Sequence, residues 1–220
     1  TVNAINDAPV LSGIGTQATN EDEDLTIVLT ASDVDIATNG QSLIYSATSS
    51  DESLVTVSVS SGDSTGSGSI TFDVQSDQNG SAEITVTVTD DDTGVLTDSE
   101  TFILTVNAVD DTPTVLNTLS DIVVDEDSNN YTIDLTDVFS DVDNNDTAII
   151  KSVQLNTNTS LVTANISGDT LTLDFLNNQN GSAIITIRGT SNGLTVDDEF
   201  NLTVNAINDA PVLSGIGTQA

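Results

Sequence analysis

A segment of about ten residues occurs three times along this chain. Thr1–Val10 reads Thr-Val-Asn-Ala-Ile-Asn-Asp-Ala-Pro-Val, Thr105–Pro113 is a variant of it, and Thr203–Val212 restores the first version. The copies enclose two units of about one hundred residues, the size of a small domain. Residues 1–18 are identical to residues 203–220, which indicates a two-domain window of a longer tandem array.

The repeated segment sets the expected domain boundaries. Asn79-Gly-Ser-Ala recurs at Asn180-Gly-Ser-Ala, so the units are also related through their middles. We expect a joint from a preceding repeat at 1–8, repeat 1 at 9–108, repeat 2 at 109–206 and the start of a third repeat at 207–220.

Both units consist of short, β-branched, mostly alternating segments separated by turn signals such as Gln78-Asn-Gly and Asp92-Thr-Gly. No helical period is sustained. This pattern predicts an all-β fold of two tandem seven-stranded antiparallel Greek-key β-sandwiches. The predicted strands are 10–11, 25–29, 42–48, 54–59, 69–74, 82–89 and 101–106, then 131–135, 148–153, 161–163, 170–175, 183–187 and 199–204.

Alternation along the strands also predicts where the side chains point. Tyr45 shares a face with Leu43 and Ala47, and Tyr131 shares one with Ile133 and Leu135, so both rings are expected in the core. The same is expected of Phe72, Phe102, Phe139, Phe175 and Phe200. Val10–Leu11 is predicted as an edge strand, and Ile84–Thr89 is a candidate for an exposed edge.

Composition excludes several kinds of chemistry. The chain has no Cys, His, Met or Trp, and 35 acidic residues stand against Lys151 and Arg188, for a net charge of −33. Thiol chemistry, His-based catalysis and His or Cys metal sites are therefore excluded, and only hard oxygen ligands remain. Such a charge repels nucleic acid and anionic membranes. No apolar run is long enough to span a bilayer. No signal peptide is present, but the first residue is a Thr inside a repeat, so this says nothing about export.

The acidic residues are clustered, and Asp-x-Asp pairs stand out at Asp33-Val-Asp35 and Asp141-Val-Asp143. Loops at one end of a sandwich converge, so such pairs can meet the Asp-rich joints. Ca²⁺ takes six to eight oxygens at about 2.3–2.6 Å, and an Asp-x-Asp pair can supply two carboxylates to one ion. The alternative is a solvated acidic surface of a marine or halophilic protein, with no specific metal.

Three segments carry a resemblance to a known family: Ala31–Asp35 leading to Leu43–Ser46, Thr85–Val88 leading to Asp92–Gly94, and the joint Thr105–Pro113. Together they resemble a cadherin repeat. They are more closely similar to the cadherin-like and immunoglobulin-like (Ig-like) repeats of large bacterial calcium-dependent (RTX-type) surface adhesins. The resemblance covers both repeats, and it implies a cadherin-like or Ig-like sandwich in an extended array with Ca²⁺ as cofactor.

The resemblance also implies a set of calcium ligands. Asp141 and Asp143 are expected to reach the joint residues Asp110 and Asp111. The whole implied set is Asp7, Glu21, Glu23, Asp33, Asp35, Asp77, Asp92, Asn107, Asp110, Asp111, Glu126, Asp141, Asp143 and Asp209. The chain departs from the cadherin pattern at Asp77–Asn79, at Asn178–Asn180 and at Ser191–Gly193, where carboxylates are missing. Fewer ions per joint than in a cadherin are therefore expected.

By the same resemblance, the expected function is that of extracellular spacer repeats on a bacterial cell surface, stiffened by Ca²⁺ at their joints and supporting cell adhesion or biofilm formation. The expected partners are neighbouring repeats of the same chain. The alternative is a calcium-dependent module that binds polysaccharide or an identical repeat on another cell. No enzyme is expected, because paired carboxylates on polar loops lack the cleft and the aromatic platforms of a glycosidase. No direct membrane insertion is expected.

Overall fold

The computed structural model describes residues 5–60, 65–91 and 94–211. It divides into two compact units, Thr1–Val109 (unit 1) and Asp110–Ala220 (unit 2). Strand dominates both, and no helix in the described residues is long and apolar enough to cross a membrane.

The described part of unit 1 forms a sandwich of two four-stranded sheets, with a short helix α1 (Ile36–Asn39) in one connection. The sheet orders are β1-β3-β6-β5 and β2-β8-β7-β4. The strands are β1 (Val10–Leu11), β2 (Gln17–Asn20), β3 (Leu25–Ser32), β4 (Leu43–Ser49), β5 (Val55–Ser60), β6 (Ser67–Val74), β7 (Gly80–Asp90) and β8 (Thr97–Asn107).

The chain changes sheet between β1 and β2. β1 pairs antiparallel with β3, whereas β2 runs parallel to β8, and the other pairs among the described strands of unit 1 are antiparallel. This crossing brings the end of β2 beside the end of β8, where the backbone amide of Glu21 donates to the carbonyl of Asn107 at 2.9 Å. The first acidic loop therefore lies against the segment that leaves unit 1.

Unit 2 repeats this plan, but its third strand is interrupted. β10 runs parallel to β17 in the sheet β10-β17-β16-β13, β11 pairs with β15, and β12 pairs with β9. Residues 135–138 separate β11 from β12, where unit 1 has the continuous β3. The strands are β9 (Thr114–Val115), β10 (Ile122–Asp125), β11 (Tyr131–Asp134), β12 (Phe139–Ser140), β13 (Ile150–Asn156), β14 (Val162–Ser167), β15 (Thr170–Phe175), β16 (Gly181–Ser191) and β17 (Leu194–Asn205), with a 3-10 turn at Asp146–Ala148.

Each unit has its own hydrophobic core, built from the inward positions of alternating strands. The predicted all-β sandwich fold is confirmed. Tyr45, Phe72 and Phe102 are buried in unit 1, Phe139 and Phe200 are buried in unit 2, and Phe175 is partly buried against the same core. The predicted edge strand at Val10–Leu11 is also confirmed, because β1 ends its sheet.

Two predictions about side chains and edges are wrong. Tyr131 is 43% exposed, although it lies on the same strand face as Ile133. It stands at the first position of β11, beyond the part of the face that the opposite sheet covers. Ile84–Thr89 is not an edge, because β7 lies between β8 and β4. The alternation of side chains along a strand predicts which residues share a face, but it does not predict which strands pair with it or what covers that face.

The turn after β4 contains an acidic cap with an uncharged counterpart in unit 2. Asp51 Oδ1 accepts hydrogen bonds from the hydroxyl of Ser53 at 2.6 Å and from its backbone amide at 3.0 Å. These bonds hold the pKa of Asp51 below its ordinary value. In unit 2, Asn158 Oδ1 accepts from the hydroxyl of Ser160 at 2.8 Å.

We expect Asp51→Asn to lower the melting temperature at pH 7, and we expect this difference from the parent to shrink as the pH falls below about 4. A lowered folded-state pKa gives a stabilisation that is present above about pH 4 and is lost as the pH falls through the folded value. Melting curves of the parent and of Asp51→Asn between pH 3 and pH 7 measure the difference in melting temperature. Asn158→Asp is the matched control and should gain stability only at the higher pH. A difference independent of pH would contradict the assignment.

Candidate metal centres

At one end of unit 1, the Asp-x-Asp pair is folded onto the joint. Asp33 and Asp35 directly follow β3; the backbone amide of Asp35 donates to Asp33 Oδ1 at 2.8 Å, and that of Asp7 donates to Asp35 Oδ2 at 2.8 Å. One oxygen of Asp33 is thereby fixed, and Oδ2 is buried without a hydrogen-bond partner. A cleft of about 330 Å³ opens beside Asp7 and Asp33.

Asp90, which is not among the ligands expected from the sequence, also lies at this end. It is 1% exposed and ends β7. Its Oδ2 accepts from the side-chain amide of Asn6 at 2.9 Å, and its Oδ1 accepts from the backbone amide of Leu96 at 3.0 Å. The other amide atom of Asn6, Oδ1, is buried without a partner. We call Asn6, Asp7, Asp33, Asp35 and Asp90 the N-terminal cluster of unit 1.

Gln41 is a buried polar residue in the connection after Asp33 and Asp35. It lies between α1 and β4, is 5% exposed, and its side-chain nitrogen and oxygen are both buried without hydrogen bonds to the described residues. It stands two residues before Leu43, which pairs with Asp90. The sequence gives one signal for its burial, which is that this polar residue stands two positions before the apolar start of β4.

The same arrangement recurs in unit 2. The backbone amide of Asp143 donates to Asp141 Oδ1 at 3.0 Å, and that of Asp111 donates to Asp143 Oδ2 at 2.7 Å. Asp141 is 8% exposed, and its Oδ2 is buried without a partner, as is Asp33 Oδ2 in unit 1. The side-chain amide of Asn144 donates to Asp110 Oδ1 at 2.9 Å. We call Asp110, Asp111, Asp141, Asp143 and Asn144 the N-terminal cluster of unit 2.

The pKa of Asp141 stays below its ordinary value despite burial. Burial opposes ionisation, but hydrogen bonds from the Ser191 hydroxyl and from the backbone amides of Asn144 and Asp143 outweigh it. Asp141 is therefore ionised at neutral pH. The amide groups of Asp143 and Asn144 donate to Oδ1, and Oδ2 has no hydrogen-bond partner within the described chain.

One carboxylate stands at different positions in the two units. Ser191 ends β16 where Asp90 ends β7, and Asp110 stands where unit 1 has Asn6. The acidic group lost from the strand end in unit 2 therefore returns in the joint. The departure noted at Ser191–Gly193 forms a tight hairpin between β16 and β17, with Asn192 at φ 44° and Gly193 at φ 95°.

The opposite end of unit 1 holds a second group of predicted ligands. Glu21 is 2% exposed; its Oε1 accepts from the backbone amide of Val109 at 2.5 Å, and its Oε2 accepts from the side-chain amide of Asn79 at 3.4 Å. Asn107 lies beside it through its carbonyl. Asp77 is exposed, and its backbone amide donates to Asp22 Oδ1 at 3.2 Å.

Unit 2 builds this end in the same way. Glu126 is 7% exposed and accepts from the backbone amide of Ile207 at 2.6 Å. The backbone amide of Asn178 donates to Asp127 Oδ1 at 2.9 Å. Asp127 and Asn178 have φ of 60° and 56°, a left-handed conformation that Asp and Asn tolerate. The side chain of Asn178 is neutral where unit 1 has the carboxylate of Asp77.

Two predicted ligands, Glu23 and Asp209, are not brought into these groups. Glu23 is exposed, and its carboxylate meets the side-chain amide of Asn20 at 3.5 Å rather than Glu21. Asp209 is exposed, and its carboxylate makes no hydrogen bond within the described chain. Asp92 lies outside the described residues. The other predicted ligands lie at the ends described above.

This donor set fits a hard cation. Both N-terminal clusters offer carboxylate and amide oxygens, and the chain has no His or Cys to favour a softer metal. The hydrogen bonds to Asp33 Oδ1 and Asp141 Oδ1 orient each carboxylate so that Oδ2 remains available. Preorganised oxygens of this kind are the ligands that Ca²⁺ takes in proteins.

Comparison with known proteins supports the fold. Residues 6–107 match the model of a bacterial Ig domain family. No curated protein matches the sequence. Cadherin domains 1–5 of protocadherin gamma B2 superpose with a TM-score of 0.51 at 15% identity, covering 93% of this chain and 42% of that one.

Two further solved structures are similar at a lower level. Domains 1–4 of protocadherin gamma B7 give a TM-score of 0.48 at 15% identity, covering 92% of this chain and 52% of that one. Mouse cadherin-23 EC22–24 gives 0.48 at 14% identity, covering 91% and 65%. This chain thus spans less than two thirds of each of these proteins. The family match over unit 1 and the strand topology of both units show that the chain folds as Ig-like and cadherin-like β-sandwich repeats.

Proposed function

We propose that these repeats are spacers of an extracellular bacterial surface adhesin, and that Ca²⁺ bound at the end of each unit stiffens the joint before it. The observation that carries this proposal is the recurrence of one geometry. In both units, an Asp-x-Asp pair binds the backbone of the joint and keeps one buried carboxylate oxygen without a partner, at Asp33 and at Asp141.

A cation from solution is the group that best completes these clusters. A buried carboxylate without a compensating partner is costly. The chain has only two basic residues, and both are engaged away from the clusters: Lys151 with Asp169 at 2.7 Å and Arg188 with Asp197 at 2.7 Å. A divalent ion would neutralise the clustered carboxylates and complete their coordination.

Calcium is favoured over magnesium because the oxygens come from irregular loops and strand ends and include amides as well as carboxylates. Ca²⁺ accepts six to eight such ligands in irregular geometry, whereas Mg²⁺ demands a near-ideal octahedron and keeps its waters. Extracellular calcium sites have dissociation constants of about 10⁻⁴–10⁻³ M, which suits sea water or host fluid.

The joint is already anchored to each unit by its backbone. Within unit 1, Glu21 holds the amide of Val109; within unit 2, Asp143 holds the amide of Asp111. Only Asp110 lies between these anchored residues in the chain. An ion on the unit 2 cluster would also bind oxygens of Asp110 and Asp111, and would leave the joint little freedom. The proposed role is mechanical rather than catalytic, with neighbouring repeats as partners.

The test is thermal unfolding of the two-unit chain in chelator, in 1 mM CaCl₂ and in MgCl₂ at matched ionic strength, with small-angle scattering on the same samples. For a dissociation constant of about 10⁻⁴ M, this concentration stabilises the folded chain by about 1.4 kcal/mol. We therefore expect calcium to raise the melting temperature by roughly 6–11 °C and to make the scattering particle more extended.

A double variant tests the ligands directly. Asp33→Asn with Asp141→Asn should abolish the calcium response while leaving a folded chain. The matched control is Asp73→Asn with Asp174→Asn, which makes the same charge change at equivalent exposed strand positions and should respond like the parent. Equal stabilisation by all salts would show an acidic surface without a specific metal, and the spacer would then not be calcium-stiffened.

A further inference from the structure

We propose that unit 2 carries a second, calcium-independent binding site, for one neutral sugar ring, in a cleft beside Tyr131. The cleft has a volume of about 290 Å³, at the small end of ligand pockets. It opens where the chain leaves β9 and crosses to the other sheet, so residues 117–121 form one wall and β11 forms the other. We call it the Tyr131 cleft.

The floor of the cleft is apolar and carries an aromatic face. Tyr131 lines it with 43% of its surface exposed, beside Leu119, Ile133 and Val138. An aromatic ring that exposes this much area beside apolar side chains is suited to a ligand with one apolar side. The C–H face of a pyranose ring presents such a side.

The rim of the cleft carries polar groups that can form hydrogen bonds with a ligand. The hydroxyls of Tyr131, Thr118 and Ser120 make no hydrogen bond within the described chain. Asp134 uses Oδ1 to accept from the amide and hydroxyl of Thr136, which leaves Oδ2 for a ligand hydroxyl. Donors and acceptors above an apolar floor match the hydroxyl groups around a sugar ring.

Asp121 plays a different part at this rim. Its Oδ1 accepts from the backbone amide of Asn201 at 2.8 Å, and both its oxygens accept from the side-chain amide of that residue at 3.1 and 3.3 Å. It therefore fixes the wall to β17 and is a positioning residue rather than a ligand contact.

Charge decides between classes of ligand. No basic residue lines the cleft, and the chain carries a net charge of −33, so uronic acids and sulfated sugars are repelled. A quaternary ammonium ion favours a cage of several aromatic faces, and Tyr131 is the only aromatic residue among the lining residues. A neutral, hydroxyl-rich ring meets both conditions.

The site does not rest on the proposed calcium function. None of the N-terminal cluster residues of unit 2 lines the cleft. Binding in chelator would therefore leave the calcium proposal untouched, and loss of the calcium response would not weaken sugar binding.

The chain provides its own probe. It has no Trp and two Tyr residues, of which Tyr45 is buried and donates to the carbonyl of Gly66 at 2.7 Å. Tyrosine emission of the whole chain therefore responds to ligands chiefly through Tyr131. The experiment titrates the chain in chelator with neutral trisaccharides of glucose, mannose, galactose, xylose and N-acetylglucosamine, with calorimetry on the same samples.

We expect saturable binding of at least one trisaccharide. Tyr131→Ala should weaken it about tenfold or more, because it removes the aromatic face, and Asp134→Asn should weaken it less. Tyr131→Phe should keep most of the affinity in calorimetry. Val28→Ala, at a 71% exposed position of unit 1, is the control and should bind like the parent. Circular dichroism checks that each variant is folded.

Three results would overturn the assignment. No trisaccharide binds, or binding survives in Tyr131→Ala at parental affinity, or tetramethylammonium chloride binds the cleft while the sugars do not. The last result would make the cleft a cation site.

Discussion

Gly66→Ala is expected to unfold unit 1 at a temperature far below that of the parent. A Cβ at Gly66 would lie 2.1 Å from the carbonyl oxygen of Ala31, and the residue has φ +73°. The carbonyl of Gly66 also accepts from the backbone amide of Ala31 at 2.9 Å and from the buried hydroxyl of Tyr45 at 2.7 Å. The chain cannot move away from the clash without loosening both bonds.

The expected cost combines three terms. A left-handed residue with a side chain costs about 1–2 kcal/mol, each hydrogen bond contributes about 1 kcal/mol, and the steric overlap adds to them. A loss of about 3 kcal/mol or more corresponds to a drop of at least roughly 12 °C for a domain of this size. Calorimetry of the two-unit chain should show the transition of unit 1 moved by this amount.

Gly13→Ala is the matched control for this experiment. A Cβ there meets nothing within 4 Å, and its φ is not in the left-handed region, so stability should change by less than about 0.5 kcal/mol. Tyr45→Phe removes only the hydroxyl bond and should cost about 1 kcal/mol. An equal loss in Gly13→Ala would show that glycine itself, rather than the contact with Ala31, is required.

Phe139→Ala is expected to cost unit 2 about 3–5 kcal/mol, because it leaves a cavity in a core that cannot collapse around it. Phe139 is fully buried. Its ring lies against Gly189, where an added Cβ would come within 2.8 Å of Cγ. Urea unfolding of the two-unit chain measures the loss, with Tyr131→Ala as the control for removing an exposed aromatic side chain.

The contact between Phe139 and Gly189 can be tested separately with a double variant. Gly189→Ala should cost about 1–3 kcal/mol alone, because the ring has no room to retreat. In the Phe139→Ala background the same change should be harmless or favourable, since the methyl group enters the vacated space. Additive losses in the double variant would show that the two residues do not share this space.

Much of the candidate site could be predicted from local sequence. An Asp-x-Asp pair after an apolar strand is followed by a turn, and its first carboxylate caps the second residue's backbone; this local rule explains Asp33–Asp35 and Asp141–Asp143 equally. The contact between Asp143 and Asp111 is not local, and its expectation came from the resemblance to cadherin joints. The structure brings these two residues together. Their calcium ligation stays a prediction.

Other members of the site depend on contacts that no local pattern contains. Asp90 joins the site through the side-chain amide of Asn6, a residue 84 positions earlier in the chain. Unit 1 has a carboxylate at the strand end (Asp90) and an amide in the joint (Asn6), whereas unit 2 has a hydroxyl (Ser191) and a carboxylate (Asp110) at these positions. The two changes can be recognised as a compensating pair only after the fold has placed the strand end and the joint at the same end of each sandwich.

Tyr131 shows the limit of strand periodicity. Alternation placed it on the same face as Ile133, which is partly buried against the core, but could not tell where the opposite sheet stops. By itself the sequence determined the repeats, the all-β class, the turns and the acidic loops, because these follow from period, propensity and backbone chemistry over a few residues. The tertiary structure decided which carboxylate oxygens are buried without partners and which aromatic face remains open, because burial depends on which distant segments cover each position.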